Sequence, residues 1–193
     1  VAVEAVEIDP ASLTAAVRHF GFDTARVQTH LADARTQLKR CGRGYDVVFV
    51  DLFHGDGTPD YLLTRDFFAD LRRCLGPGGI AVFNTFADIG HTTVYAHLLA
   101  TLRSELPYLA LYRPNWPGAV HVNSFIVASA TALPEPQPAP LHYVPPQHAA
   151  TLAAMMLQPL ALHRDLLKDG EIVTDARNRA LHDVASSQVV YRR

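Results

Sequence analysis

The chain has 193 residues, of which 49% are hydrophobic and 19% are charged, and its formal net charge is −2 at pH 7. This balance predicts a globular protein with a sizeable core, and the small net charge offers no basic surface for a nucleic acid. The apolar runs, such as 47–50 and 80–83, are much shorter than a membrane span requires. No signal peptide opens the chain, and we expect a cytoplasmic protein without a membrane partner. The histidines form no pattern typical of a metal site, and no metal is expected.

Strands and helices alternate through the first two thirds of the chain. Apolar runs predict strands over 1–8, 26–31, 45–50 and 80–83. The spacing of apolar residues predicts helices over 11–20, 34–40, 63–75 and 91–106, and Pro77-Gly78-Gly79 predicts a turn. Two later strands, 109–112 and 120–128, have a short connection and should pair antiparallel. The alternation predicts an α/β fold whose mostly parallel sheet is covered on both faces by helices and closed by a hairpin.

The sequence changes character after the last predicted strand. Residues 133–146 contain six prolines, which predicts an extended linker. Helical spacing resumes over 149–167, with a break expected near Pro159. We therefore expect an α/β domain over 1–132, a linker over 133–146 and a helical C-terminal extension over 147–193.

Acidic residues follow several predicted strands at the point where each strand ends. Glu7 and Asp9 close the first strand, Asp33 follows the second, and Asp51 closes the third. In an open parallel sheet, ligands bind outside the carboxyl ends of the strands, so these carboxylates mark a candidate site. The alternative is that Asp9 and Asp33 cap the helices that follow them. Asn84, which closes the fourth predicted strand, either faces this site or lies in a turn.

The order of these motifs resembles the spermidine-synthase family. Val6-Glu7-Ile8-Asp9-Pro10 is similar to the first acidic motif of the family, and Ala32-Asp33-Ala34-Arg35 is similar to its second. Residues 45–51 resemble the strand that leads to the family's catalytic aspartate, and residues 59–80 resemble the loop, helix and turn that follow. The resemblance covers roughly residues 1–130. It implies a three-layer Rossmann-like fold of the class I methyltransferase type, with S-adenosyl nucleosides as ligands.

The resemblance also implies a reaction, in which an aminopropyl group moves from decarboxylated S-adenosylmethionine to a polyamine acceptor without a metal. Asp51 is then the catalytic residue, which orients the attacking amine and helps to take its proton. Glu7 and Asp9 belong to the motif whose glutamate holds the ribose hydroxyls. Asp33 and Ala34 belong to the motif whose aspartate reads the adenine amino group. A small amine is therefore the expected partner, and the oligomeric state is open, with a homodimer as one option.

The loop after Asp51 departs from the family pattern. His54 stands where the family has a second aspartate, and Asp56 is the acid that could replace it. Both are candidates for substrate binding, although His54 also fits a loop histidine exposed to water. Three aromatic residues either line a pocket for an aliphatic amine or pack in the core: Tyr61, Tyr112 and Trp116.

Two other functions are compatible with parts of this pattern. Only six residues precede Glu7, so the strand, glycine-rich loop and helix that the family has upstream are absent, and we expect a domain truncated at its N-terminus. A non-catalytic domain that lacks this loop is therefore one alternative. An S-adenosylmethionine-dependent methyltransferase is the other, because it would share Glu7 and Asp33. The acidic segment from Asp51 to Pro59 favours aminopropyl transfer, because a methyltransferase has no need of an amine-binding loop.

Overall fold

The computed structural model of the protein describes residues 1–42, 44–52, 59–88, 92–112, 121–135, 144–157 and 167–178. Two compact units divide the chain, the first over Val1–Gly42 and the second over Arg43–Arg193. In the described residues, the first unit contains a two-stranded sheet and the second a four-stranded sheet.

The first unit is a β-α-β-α segment, as the alternation of apolar runs and helical spacing predicts. Its elements are β1 (Glu4–Glu7), α1 (Pro10–His19), β2 (Gln28–Leu31) and α2 (Ala34–Arg40). β1 and β2 pair in parallel, with Glu7 opposite Leu31. A parallel pair needs a crossover connection, and α1 lies in that connection. Because the two strands run in the same direction, their carboxyl ends lie at the same rim.

The second unit is built on a mixed sheet. Its strands are β3 (Tyr45–Val50), β4 (Leu75–Asp88), β5 (Tyr108–Tyr112) and β6 (His121–Ser129), in the order β3-β4-β6-β5. β3 and β4 are parallel, whereas β6 is antiparallel to both of its neighbours. The predicted closing hairpin is therefore confirmed.

Two helices pack against one face of this sheet. They are α3 (Arg65–Cys74) and α4 (Thr92–Glu105). The inward side of α3 carries Phe67, Phe68 and Leu71, none of which is more than 1% exposed. The ring of Phe68 meets that of Phe83 on β4 edge to face, with centroids 5.6 Å apart. Each of these buried side chains contributes about 1.5–3 kcal/mol through the loss of contact with water, so α3 is a main part of the core.

β4 is longer than the sequence predicts, because it extends over Leu75–Asp88 instead of 80–83. Asn84 therefore lies inside the strand, not at its end. The predicted Pro-Gly-Gly turn falls within β4 as well, where the register with β3 shifts between Tyr45 and Val47. Gly78 has a φ of +73°, which other residues rarely adopt. The turn signal thus marks an irregularity inside a strand whose pairing continues on both sides.

The C-terminal part contributes a helix and a docked segment. α5 spans Pro146–Leu157, so it begins before the predicted 149–167. Residues 158–166, with the break expected near Pro159, lie outside the described residues. Residues 170–177, which we call the strap, contain a short antiparallel bridge between Thr174 and Arg177 and bury Val173. No helix in the described ranges combines the length and the apolar character needed to cross a membrane.

Limited proteolysis tests the predicted domain boundary. We expect the first cut in the proline-rich segment 133–146, because connecting segments of this composition are the preferred sites of nicking. The strap belongs to the C-terminal piece and is hydrogen-bonded to α3 and α4. The two pieces should therefore co-elute in gel filtration after the cut and separate only in denaturant. Early cleavage between Val47 and Leu75 would contradict the boundary.

Candidate active site

Glu7 and Asp33 follow the two parallel strands of the first unit. Glu7 is the last residue of β1, and its carbonyl oxygen accepts a hydrogen bond from the N–H of Ala32 at 2.9 Å. Asp33 comes next in the chain and precedes Ala34, the first residue of α2. The two acidic motifs therefore end neighbouring strands at one rim, where parallel sheets bind their ligands.

Two of these acidic residues, Asp9 and Asp33, cap the helices that follow them. Asp9 Oδ1 accepts a hydrogen bond from the N–H of Ala11 at 2.9 Å, and Asp9 Oδ2 accepts one from Ser12 Oγ at 3.0 Å. These bonds, that from Ala11 above all, hold the pKa of Asp9 below its ordinary value. The cap is thus present above the ordinary aspartate pKa and is lost as the pH falls through the lowered value. Asp33 caps α2 in the same way, through the N–H of Thr36 at 2.8 Å. The capping interpretation is confirmed for both residues.

Glu7 is not a helix cap and is partly buried. Its Oε1 atom accepts a hydrogen bond from the N–H of Asp9 at 2.8 Å, which holds the carboxylate at the rim. An ionised carboxylate offers about four acceptor positions, so this bond leaves the group able to accept hydrogen bonds from a pair of hydroxyls. A ligand role for Glu7, Asp33 and Ala34 stays a prediction.

In the second unit, Asp51 and Asn84 form a hydrogen-bonded pair. Val50 lies opposite Phe83 in the parallel register of β3 and β4, so the next residue of each strand is Asp51 and Asn84. Asn84 Nδ2 donates to Asp51 Oδ1 at 3.0 Å. An ionised carboxylate only accepts, so the amide presents its NH₂ group to Asp51 and directs its oxygen elsewhere. That oxygen is buried and has no hydrogen-bond partner among the described residues, which is costly unless another donor meets it.

The register of the sheet extends this pair into a row. Asn84 lies opposite Phe125 on β6, and Phe125 lies opposite Tyr112 on β5. Residues opposite each other in register share a face, and with strands about 4.8 Å apart the row spans roughly 14 Å. The helices pack on the other face, where Phe83 and Ser124 are buried. The ring of Phe125 stays 40% exposed.

The chemistry of the row suits a small amine. A carboxylate and an unsatisfied amide oxygen are both acceptors for N–H groups, and aromatic faces attract cations. Desolvation raises the pKa of Tyr112 above its ordinary value, so the phenol stays neutral and can donate a hydrogen bond. In the described residues no group of three or more His, Cys, Asp and Glu side chains is arranged to hold a metal ion.

The sequence singles out Asp51 and Asn84 but not their contact, and it misses Phe125. No signal in the sequence could have found Phe125, because its face depends on the register between β4 and β6. For Tyr112, the position in the row favours the pocket interpretation over core packing, and Tyr61 is 42% exposed, which also argues against packing. Three other candidates lie outside the described residues: His54, Asp56 and Trp116.

Comparison with known proteins gives the family. The Spermine/spermidine synthase domain matches residues 5–131. A polyamine aminopropyltransferase of Vibrio vulnificus is 32% identical over 165 residues, which make up 83% of this chain and 50% of that protein. The chain therefore spans about half the length of this relative.

Solved structures give the same fold. A probable spermidine synthase from Corynebacterium glutamicum superposes with a TM-score of 0.69 at 21% identity, over 89% of this chain and 63% of that chain. A spermidine synthase in complex with the transition-state analogue AdoDATO superposes with a TM-score of 0.61 at 15% identity, over 86% of this chain and 61% of that chain. The α/β fold implied by the motifs is thereby confirmed. Because the family match takes in nearly all of β1 through β6, the chain belongs to the spermine/spermidine synthase family.

Proposed function

We propose that the protein transfers an aminopropyl group from decarboxylated S-adenosylmethionine to a polyamine acceptor. The observation that carries this proposal is the Asp51–Asn84 pair, in which a carboxylate stands beside a buried amide oxygen without a hydrogen-bond partner among the described residues. An attacking amine supplies the missing N–H donor. Family membership and the name of the Vibrio relative support the same reaction.

The pair has a clear task in such a reaction. A free diamine is mostly protonated at pH 7, whereas only the neutral amine can attack carbon. Asp51 accepts one N–H of the amine and takes its proton, and Asn84 Oδ1 accepts a second N–H and so aims the nitrogen lone pair. The new C–N bond forms as the C–S bond breaks, and the sulfur leaves as a neutral thioether that needs no acid. Alignment of the two reactants then supplies much of the rate.

The nucleoside part of the donor substrate is assigned to the first unit. We infer that Glu7 accepts the two ribose hydroxyls and that Asp33, with Ala34 beside it, accepts the adenine amino group. The spermidine synthase solved with AdoDATO supports a ligand of this type. Asp9 supports the site as a helix cap, and His54 and Asp56 are proposed to contact the amine from the loop after Asp51. A cytoplasmic location, a homodimer and the absence of a nucleic-acid partner stay predictions.

Replacement of Glu7 tests the nucleoside assignment. In the full-length protein, Glu7→Gln should weaken methylthioadenosine binding by about 1–2 kcal/mol, because a neutral amide forms a weaker hydrogen bond than a carboxylate and presents only one acceptor oxygen. Isothermal titration calorimetry measures the change. Glu4→Gln, three residues earlier on β1, is the control and should bind normally. Equal affinity of the wild type and Glu7→Gln would remove Glu7 from the site.

The reaction itself is tested by product formation in the full-length protein. Decarboxylated S-adenosylmethionine is mixed with putrescine or another diamine, and the polyamine and methylthioadenosine are measured. We expect both products in equal amounts. Methyl transfer from S-adenosylmethionine without aminopropyl transfer would make the protein a methyltransferase. Calorimetric binding of methylthioadenosine with no turnover of any amine would make it a binding domain.

A further inference from the structure

The strap joins the two helices of the second unit through a series of hydrogen bonds. On the α4 side, the N–H of Glu171 donates to His97 Nδ1 at 2.7 Å, and the N–H of Val173 donates to Thr101 Oγ1 at 2.9 Å. Gly170 packs so closely on α4 that a Cβ there would lie 2.5 Å from the carbonyl oxygen of Ala96. The strap is therefore a fitted part of this unit.

On the other side, the strap holds the first turn of α3. The carbonyl oxygen of Val173 accepts from the N–H of Arg65 at 2.8 Å, and the N–H of Asp175 donates to Asp66 Oδ2 at 2.9 Å. The first N–H groups of a helix have no partner within the helix. The strap thus supplies a hydrogen-bond acceptor for the first N–H group of α3, which in most helices is met by water or by the helix's own cap residue.

Thr64 links the cap of α3 to the strap. It is the N-cap residue and is fully buried. Its hydroxyl donates to Asp175 Oδ1 at 2.7 Å and accepts from the N–H of Phe67 at 3.3 Å. A hydroxyl has one hydrogen to donate, so Asp175 fixes the direction of that hydrogen and leaves a lone pair for Phe67.

The start of α3 matters because Tyr61, an aromatic candidate for the amine pocket, lies three residues before Thr64 on the connection that leads from Asp51. The connection ends in a 3₁₀ turn over Asp60–Leu62, in which the N–H of Leu62 donates to the carbonyl oxygen of Pro59 at 2.9 Å. Leu62 is 3% exposed and Thr64 follows two residues later, so this end of the connection is fixed to the core. Its position is set by a residue 111 places away in sequence.

We propose that Asp175, acting through Thr64, is a positioning residue for the amine side of the active site. It touches no substrate. It fixes the point at which the chain enters α3, and so the position from which Tyr61, in the turn just before the helix, contacts the amine. This inference rests on the proposed aminopropyl transfer.

Steady-state kinetics and calorimetry on the full-length protein test the proposal. Asp175→Ala should raise the KM for the diamine about tenfold, with less change in kcat and none in the affinity for methylthioadenosine. Asp175→Asn keeps an oxygen that accepts from Thr64, so it should restore a KM close to that of the wild type. Ser129→Ala is the matched control, because it removes another buried hydroxyl bond, to Gly79 at 3.0 Å, which involves neither α3 nor the strap. It should leave the KM unchanged.

The outcomes separate this proposal from the proposed function. If Asp175→Ala lowers only the melting temperature and its KM equals that of Ser129→Ala, the strap is merely structural and the proposal fails. If the wild type turns over no amine, the proposed function fails. Hydrogen exchange then decides whether the strap positions the start of α3. Faster exchange in Asp175→Ala at the amides of 62–68, with β6 unchanged, supports positioning of this segment by the strap. Unchanged exchange there overturns it.

Discussion

Asp51→Asn should lower the turnover of the diamine by about a hundredfold or more, which is the loss typical of removing a general base. The effect should be confined to chemistry. An asparagine keeps an oxygen that can accept from Asn84 Nδ2, so the hydrogen bond that now measures 3.0 Å survives. What disappears is the negative charge that attracts the amine and the group that takes its proton. Methylthioadenosine should bind with the same affinity as to the wild type.

The measurement is product formation at equal concentrations of folded protein, together with calorimetry of methylthioadenosine. Asp46→Asn is a suitable control, because Asp46 is an exposed aspartate of the same strand and its loss removes the same charge. We expect near wild-type turnover from the control. A variant at position 51 that is as active as the wild type would end the assignment of Asp51 as the catalytic residue. A variant that loses nucleoside binding as well would show that its effect is not specific to the amine.

Asn84→Asp should be nearly as damaging, and its effect should depend on pH. The change places a second carboxylate within hydrogen-bond distance of Asp51 Oδ1. Two carboxylates at this distance cannot both ionise easily, so the pKa of one rises and the pair shares a proton. While the pair holds this proton, Asp51 cannot accept the proton of the amine. Turnover should therefore fall about tenfold at a pH one unit below the raised pKa and recover as the pH rises above it.

A pH–rate profile of the wild type and the variant checks this prediction. In the pH profile of kcat, the acid limb of Asn84→Asp should lie at higher pH than that of the wild type, by about one pH unit or more. Gln28→Glu adds a negative charge at an exposed position of β2 and should leave the limb where it is. If Asn84→Asp lost activity equally at every pH, the side chain would act through packing alone, and its proposed contact with the amine would lose support.

The sequence by itself determined the elements and the motif order. Apolar runs and helical spacing located β1 to β3 and α1 to α4 to within a few residues, because these signals are local and repeat over one element. It also identified Asp51 as a strand-end residue and the capping alternative for Asp9 and Asp33, but it placed Asn84 at the end of a strand that continues to Asp88. The acidic motifs, read in order, led to the family that the match over 5–131 establishes.

Only the tertiary structure decided how distant segments meet. The length of β4 depends on its pairing with β6, which carries the strand to Asp88, and on its pairing with β3, which resumes after a local turn signal that the sequence could read only as a break. The face of Phe125, the contact between Asp51 and Asn84, and the docking of Asp175 on Thr64 all join residues far apart in the chain. Local periodicity carries no record of such contacts, because the register between strands and the packing of a strap on two helices are fixed by the core as a whole.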